Sequence, residues 1–288
     1  MARSRRDILS GTARTHEASI GLLGLPFDAN SSFRRGPAKA PASIRTALAS
    51  ASGNAFSETG VRVWPSEHVV DLGDAAIPPL AGEREPLDAI ERAVYSALAR
   101  VSRLIVLGGD HAVTYPVIRA IAQHRRPLHL LQIDAHPDLY PDFEGNRYSH
   151  ACPMARIMEE GLVERLVQVG IRSVSPAQRV MAERYGVETI AASDVDPRSP
   201  LVFTAPLYLS LDLDGLDPAF VPGVSHPEPG GLSVREVLDL LARVQTPNWV
   251  GADVVELNPD CDPTGMSATV AAKMVREIAA LMLARAGE

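Results

Sequence analysis

Short, continuous apolar runs alternate with amphipathic segments along nearly the whole chain. Short runs that are apolar at most positions are typical of strands buried on both faces of a sheet. We therefore predict strands in SIGLLGLPF, HVVDLG, RLIVLGG, LHLLQID, RLVQVGIR, LYLSLDLD and WVGADVVEL.

The segments between these runs repeat their apolar residues near positions i, i+3, i+4 and i+7, which predicts helices. Two of them begin with cap signals: Ser233 is followed three residues later by Glu236, and Ser175 precedes Pro176. The predicted helices are DAIERAVYSALARV, VTYPVIRAIAQH, PMARIMEEG, SPAQRVMAERYG, SVREVLDLLARV and TVAAKMVREIAALMLARA.

This serial order of strand and helix predicts an α/β fold with a central parallel sheet, since parallel strands need crossover connections. In such a sheet, ligands bind beyond the carboxyl ends of the strands. No linker or internal repeat interrupts the chain, so we expect one domain over residues 1–288, with residues 1–17 as a flexible tail.

Charge and cysteine content narrow the functional classes. The formal net charge is −7 with scattered basic residues, which argues against a nucleic-acid binder and suits a small cationic substrate. Cys152 and Cys261 are too few for a disulfide framework, which favours a reducing compartment. No apolar run is long enough to span a membrane, and we expect a cytoplasmic protein.

Metal-capable side chains follow three of the predicted strands. A single Asp-x-Asp at a strand end is more often a solvated end or a helix cap. Three such ends meeting at one sheet edge are different, because clustered carboxylates repel one another unless a cation neutralises them. Oxygen donors without thiolates favour a cation such as Mn²⁺. The candidate ligands are His111, Asp134, His136, Asp138, Asp212 and Asp214.

Six motifs resemble, in order, those of the ureohydrolases, a family of arginases, agmatinases and their relatives. They are LGGDHAVTYP, DAHPDLY, YSHACP, SLDLDGLDPAFVPG, PEPGGLS and DVVELNP, spread from about Ile20 to the end. The sequence is most similar to plant-type arginases and to bacterial agmatinase-like proteins. The resemblance implies an arginase-like three-layer α/β/α fold and manganese-dependent hydrolysis of the guanidino group of agmatine or L-arginine. The products would be urea with putrescine or L-ornithine.

The resemblance also implies how the ligands are distributed between two metal ions. Two Mn²⁺ ions per subunit are expected, with Co²⁺ or Ni²⁺ as alternatives. Asp134 and Asp212 would bridge the pair, and Asp110 would hold His111 in its tautomer. The other ligands would divide as His111 and Asp138 on one ion, and His136 and Asp214 on the other. Homotrimers or homohexamers are implied in the same way.

Three further residues match family positions or depart from them. His150 matches a mobile catalytic histidine that helps protonate the leaving amine. Glu256 matches the carboxylate that anchors the guanidinium. His226 in GVSHPEPGG stands where animal arginases have threonine, as in plant-type sequences, and its role is open between a site contact and loop packing.

The loop Leu139 to Ser149 is expected to face the far end of the substrate. Asn146 and Arg147 would bind a carboxylate, and Asp142 or Glu144 would bind an ammonium group. The alternatives are hydrolysis of 4-guanidinobutyrate or another guanidine, hydrolysis of formiminoglutamate, and an inactive metal-binding subunit of a hetero-oligomer.

Overall fold

The computed structural model describes residues 20–284, in which eight parallel strands form one sheet in the order β2-β1-β3-β8-β7-β4-β5-β6. The predicted tail over residues 1–17 lies outside this range. The strands are β1 Ile20–Gly24, β2 Val69–Asp74, β3 Arg103–Leu107, β4 His129–Ile133, β5 Arg165–Ile171, β6 Glu188–Ala191, β7 Leu207–Asp212 and β8 Trp249–Val255.

Helices cover both faces of the sheet. One buried cluster joins one sheet face to α1, α6 and α7, and a second joins the other face to α2, α3 and α4. The predicted three-layer α/β/α arrangement is confirmed. The helices are α1 Ala40–Leu48, α2 Arg84–Leu98, α3 Thr114–Ala122, α4 Pro153–Glu159, α5 Pro176–Tyr185, α6 Val234–Ala242 and α7 Met266–Ala284.

The seven predicted strands and six predicted helices are all present, with small differences in their ends. Both cap predictions are also confirmed, because Ser175 and Ser233 each form a capping box at the start of α5 and α6. The short strand β6 and helix α1 were not predicted. No helix within residues 20–284 combines the length and apolar character needed to cross a membrane.

The register of the four central strands places the candidate ligands at one edge. Ile133 of β4 pairs with Leu211 of β7, and Val254 of β8 pairs with both Leu211 and Leu107 of β3. Because the strands are parallel and level, the residues that follow them emerge side by side at the carboxyl edge.

Candidate metal centre

His111 lies at the centre of a buried group of acids. Its Nδ1 atom is 3.1 Å from Asp134 Oδ2, 2.9 Å from Asp138 Oδ2 and 3.1 Å from Asp212 Oδ2. The three carboxylates come from the ends of β4 and β7, and His111 begins a short 3₁₀ turn after β3. Four donor atoms from three chain segments therefore converge on one point.

A second group of donors adjoins the first and shares Asp134 with it. His136 Nδ1 lies 3.1 Å from Asp214 Oδ2 and 3.6 Å from Asp134 Oδ1. The sets His111, Asp134, Asp212 and Asp134, His136, Asp214 each have the geometry of a possible metal site. Asp134 is thus the residue placed to belong to both, as expected of a bridging ligand. Asp212, the other expected bridging ligand, belongs only to the set that contains His111.

Like charges at close range disturb the titration of these acids. Burial, followed by the charges of Asp214 and Asp134, raises the pKa of Asp212 well above its usual range. Burial and Asp134 raise the pKa of Asp138 to about 6. Burial would lower the pKa of His111, but its three carboxylate neighbours outweigh burial and raise it well above 6.5. This pattern is that of an anionic cavity that favours bound positive charge.

The donor geometry fits a divalent cation. Nδ1 of His111 is buried without a hydrogen-bond partner, although three carboxylate oxygens surround it. A single proton on that nitrogen cannot satisfy three acceptors, whereas a metal ion can bind all four atoms. Donors about 3 Å apart also match adjacent ligands around an ion with bonds of about 2.1 Å.

The orientation of the His111 ring is set by a buried chain of hydrogen bonds. His111 Nε2 lies 2.9 Å from Ser210 Oγ, and Ser210 Oγ donates to Asp253 Oδ1 at 2.7 Å. Thr114 and Tyr208 also donate to Asp253. Ser210 and Asp253 therefore leave Nδ1 free to face the acids. Both are polar residues inside otherwise apolar, fully buried strands, and this is the sequence signal that indicates them.

Asp110 does not fix the His111 tautomer, contrary to expectation. Its carboxylate instead accepts hydrogen bonds from the backbone N–H groups of Asn30 and Ala112 and from the Ser31 hydroxyl. The reason is geometric, because the Asp110 side chain caps the turn that begins at His111. Asp110 therefore fastens the loop that starts at Asp28 to the end of β3.

Unusual backbone conformations occur at two site residues. Asp138 has φ 52° and Glu256 has φ 63°, in the left-handed region that costs a non-glycine residue about 1 to 3 kcal/mol. Backbone hydrogen bonds to other chain segments hold both: the Asp138 carbonyl accepts from the Met154 N–H, and the Glu256 N–H donates to the Gly109 carbonyl. Both carboxylates lie in the site, where Asp138 Oδ2 faces His111 and Glu256 Oε1 faces His150.

His150 and Glu256 form a pair beside the metal-capable group. His150 Nδ1 is 3.1 Å from Glu256 Oε1, which also accepts from the His111 backbone N–H at 2.8 Å. Burial would lower the pKa of His150, but Glu256 outweighs burial and raises it to about 9. Glu256 Oε2 is buried without a hydrogen-bond partner. The pair thus holds a charged imidazole and a carboxylate oxygen with spare acceptor capacity.

His226 packs over the ring of His150. The two ring centroids are 4.8 Å apart, and burial followed by the charge of His150 lowers the pKa of His226 to about 4. The ring is therefore neutral near pH 7. Ser32, which the sequence did not indicate, lies on the far edge of His150 with its Oγ 2.9 Å from Nε2. No local sequence signal could have found Ser32, because 118 residues separate it from His150.

The site opens into a cleft of about 420 Å³. The candidates His136, Asp138, His150, Asp212, Asp214 and His226 line it, together with Ser32, Tyr140, Phe143, Ala151, Ser173, Val174, Ser175 and Gln178. His111, Asp134 and Glu256 lie behind this wall. A larger surface groove of about 920 Å³ between α5, β6 and residues 229–230 contains none of the candidate ligands.

Asn146 and Arg147 are not brought to the cleft. Asn146 Nδ2 donates to Asn30 Oδ1 at 3.1 Å, while Arg147 pairs with Glu159 on the exposed side of α4. Asp142 accepts from the Gly145 N–H within its own turn. The loop is closed by its own hydrogen bonds, and its aromatic residues Tyr140 and Phe143 face the cleft instead.

Comparison with known proteins gives a consistent picture. The sequence profile described as the Arginase family matches residues 18–281. The protein named "Arginase 1, mitochondrial" of Arabidopsis thaliana is 44% identical over 278 residues, which span 92% of this chain and 81% of that protein. The "Guanidinopropionase" of Pseudomonas aeruginosa is 34% identical, with 91% of this chain and 86% of that protein covered.

Solved structures agree with the sequence comparisons. The arginase from Medicago truncatula superposes with a TM-score of 0.86 at 41% identity, covering 92% of this chain and 88% of that one. The fold is thus shared over most of both chains.

Proposed function

This chain belongs to the arginase family, whose members are ureohydrolases acting on guanidino groups, and from that premise we propose that it hydrolyses agmatine or L-arginine. The products would be urea with putrescine or with L-ornithine. The predicted membership of the ureohydrolases, with plant arginases among the similar proteins, is confirmed.

The carboxylate of Glu256 is the observation that carries the proposal. It is 3% exposed, and its Oε2 has no hydrogen-bond partner although Oε1 has two close neighbours. A buried carboxylate with an unused oxygen is costly unless a cation with N–H donors pairs with it. A guanidinium supplies such donors in parallel, and it is permanently charged. Since His150 bonds to Glu256 and lines the cleft, the substrate would displace His150 from this contact.

The metal ligands proposed here are His111, Asp134, His136, Asp138, Asp212 and Asp214. Their spacing supports this assignment, as does the shared position of Asp134. A divalent cation in such a site supplies a nucleophile near neutral pH by lowering the pKa of water. We propose two Mn²⁺ per subunit, with Co²⁺ or Ni²⁺ able to replace them, because the donors are carboxylates and imidazoles.

His150 would act as the proton donor to the leaving amine. In the free site, Glu256 raises the pKa of His150 to about 9, so the ring that lines the cleft carries its proton when the substrate arrives. Loss of the amine from the tetrahedral carbon requires a proton on that nitrogen, and a positioned imidazolium provides it. Glu256 would hold the guanidinium in the orientation that attack by the water-derived nucleophile requires.

Two observations point to different substrates. Similarity to proteins named arginase favours L-arginine. The cleft wall favours agmatine, because no arginine or lysine is among its described residues and three of them are aspartates, so that an α-carboxylate would find no permanently charged partner there. His226 adds a neutral imidazole to this wall.

Urea release tests the proposal. The Mn²⁺-loaded protein is incubated with L-arginine, agmatine and 4-guanidinobutyrate side by side, each with a chelator-treated control. Chelator-sensitive urea from agmatine or L-arginine supports the proposal, and the ratio of kcat/KM values identifies the preferred substrate. Urea from 4-guanidinobutyrate alone, or no urea from any of them, contradicts it.

Assembly and location complete the proposal. We propose a homotrimer or homohexamer in the cytoplasm. The Arabidopsis relative is named as mitochondrial, which describes that protein. Size-exclusion chromatography with light scattering measures the first property, and imaging of a tagged full-length chain measures the second.

A further inference from the structure

We propose that Ser32 is a positioning residue for His150, with its hydroxyl holding the Nε2 edge of the ring while Glu256 holds the Nδ1 edge. Ser32 Oγ lies 2.9 Å from Nε2, and Glu256 Oε1 lies 3.1 Å from Nδ1. A planar ring held at both nitrogens cannot flip or swing without breaking a hydrogen bond. The turnover test of this role rests on the proposed hydrolysis.

A hydroxyl suits both charge states of the ring. A carboxylate only accepts, so Nδ1 carries the hydrogen that faces Glu256 in either state. When His150 is charged, Nε2–H donates to Ser32 Oγ; when the ring is neutral, the Ser32 hydroxyl donates to Nε2. The contact also remains when the substrate takes the Glu256 carboxylate. Nδ1–H is then free to protonate the leaving amine, and the ring keeps its other hydrogen on Nε2, which donates to Ser32 Oγ.

The surroundings fix Ser32 relative to His150. The His150 backbone N–H donates to the Asn30 carbonyl at 3.2 Å, which joins the two loops next to this contact. Phe33 packs against His226, with centroids 5.8 Å apart, and His226 covers the face of His150. The Ser225 hydroxyl donates to the Arg34 carbonyl at 3.0 Å. Loops from distant parts of the sequence thus form one wall around the ring.

Ser32 also lies at the entrance to the cleft. It is exposed and lines the cleft, whereas the His150 side chain is only 12% exposed. The hydroxyl therefore connects a nearly buried imidazole to solvent, and it covers the nitrogen that a reagent from solvent would reach first.

Three variants of the full-length Mn²⁺-loaded enzyme test the role by turnover. Ser32→Ala removes the hydroxyl, Ser32→Thr keeps it, and Ser52→Ala is a control at an exposed serine outside the cleft. We expect Ser32→Ala to lower kcat roughly 10-fold with little change in KM, a part of the 10²- to 10⁴-fold that a positioned acid contributes. Ser32→Thr should recover most of the loss, and Ser52→Ala should match the parent. A raised KM at unchanged kcat, or an equal loss in Ser32→Thr, overturns the role.

A second readout does not depend on turnover. Diethyl pyrocarbonate modifies neutral imidazole nitrogens, and mass spectrometry of the peptide that contains His150 gives its rate at fixed pH. We expect severalfold faster modification in Ser32→Ala and a parental rate in Ser32→Thr. Equal rates in all variants overturn the positioning role even if urea is produced. Faster modification without urea from any guanidine supports the role and contradicts the proposed function instead.

Discussion

At the scale of single residues, the buried support of His111 makes a prediction about metal affinity. In Ser210→Ala, the His111 Nε2 loses its partner and the ring is free to turn away from the acids. We expect roughly 10- to 100-fold weaker Mn²⁺ binding, which is typical when such an outer partner is removed. Titration calorimetry on the metal-free protein measures it. Thr114→Val is the control, since Thr114 donates to Asp253 but the His111 to Ser210 bond remains; equal affinities in both variants contradict the prediction.

Glu256→Gln separates substrate binding from metal binding. The amide keeps the shape of Glu256 but cannot pair as an anion with a guanidinium. We expect urea release to fall by about 100-fold or more, a loss of about 3 kcal/mol or more of transition-state stabilisation. Metal content, measured by mass spectrometry of the dialysed protein, should stay at the parental level. Parental turnover in this variant would remove Glu256 as the anchor.

At the scale of elements, Gly109 controls how closely β3 approaches the loop after β1. A Cβ at Gly109 would lie 1.7 Å from the Phe27 carbonyl oxygen, which accepts the Asp110 N–H at 2.8 Å. Gly109→Ala should therefore cost more than about 3 kcal/mol and reduce metal content, because the His111 turn must shift. Gly161→Ala is the control: nothing lies within 4 Å of its Cβ, and only its φ of 59° costs about 1 to 2 kcal/mol. Urea unfolding compares the two.

Glu58 links its loop to α6 and α7. Hydrogen bonds from Arg235 and Lys273 lower the pKa of Glu58 from 4.5 to about 2. A lowered folded-state pKa contributes stability above the unfolded value and loses it as pH falls from about 4.5 to about 2. Glu58→Gln should thus be less stable than the parent at pH 6 and equally stable at pH 2. The difference at pH 6 should be about 1 kcal/mol or less, because the ion pairs of Glu58 are exposed to solvent. A stability difference that persists at pH 2 would contradict this.

The ends of the central strands could be predicted from the sequence, whereas the edge strand and the loop contacts could not. Strand ends were predictable because buried parallel strands are continuous apolar runs, so Asp134 and Asp212 had to emerge at one edge. Strand β6 was missed because it is four residues long and half exposed at the sheet edge. The direction of Asn146 was not predictable, since its partner Asn30 is 116 residues away. The same holds for Ser32 and His150, because long-range loop contacts leave no periodic pattern in the sequence.

At the scale of the whole molecule, the acidic site should oppose folding when no metal is bound. Burial and neighbouring acids raise the pKa of Asp212 in the fold. A raised folded-state pKa of an acid means that the metal-free fold loses stability as pH rises above about 3.8. Metal at 100 times its Kd reverses this by about 2.7 kcal/mol, because it binds only the folded state.

Asp212→Asn should therefore reverse the order of stability. Without metal at pH 8, the variant should unfold at a higher temperature than the parent, because one of the mutually repelling buried acids is gone. The expected gain in the free energy of unfolding is about 1 to 3 kcal/mol. With saturating Mn²⁺ it should unfold at a lower temperature, because a ligand is missing. Scanning calorimetry with and without chelator measures the unfolding temperatures of the parent and the variant in both states. A variant that is less stable in both states would mean that Asp212 supports the fold through its hydrogen bonds and not through a bound cation.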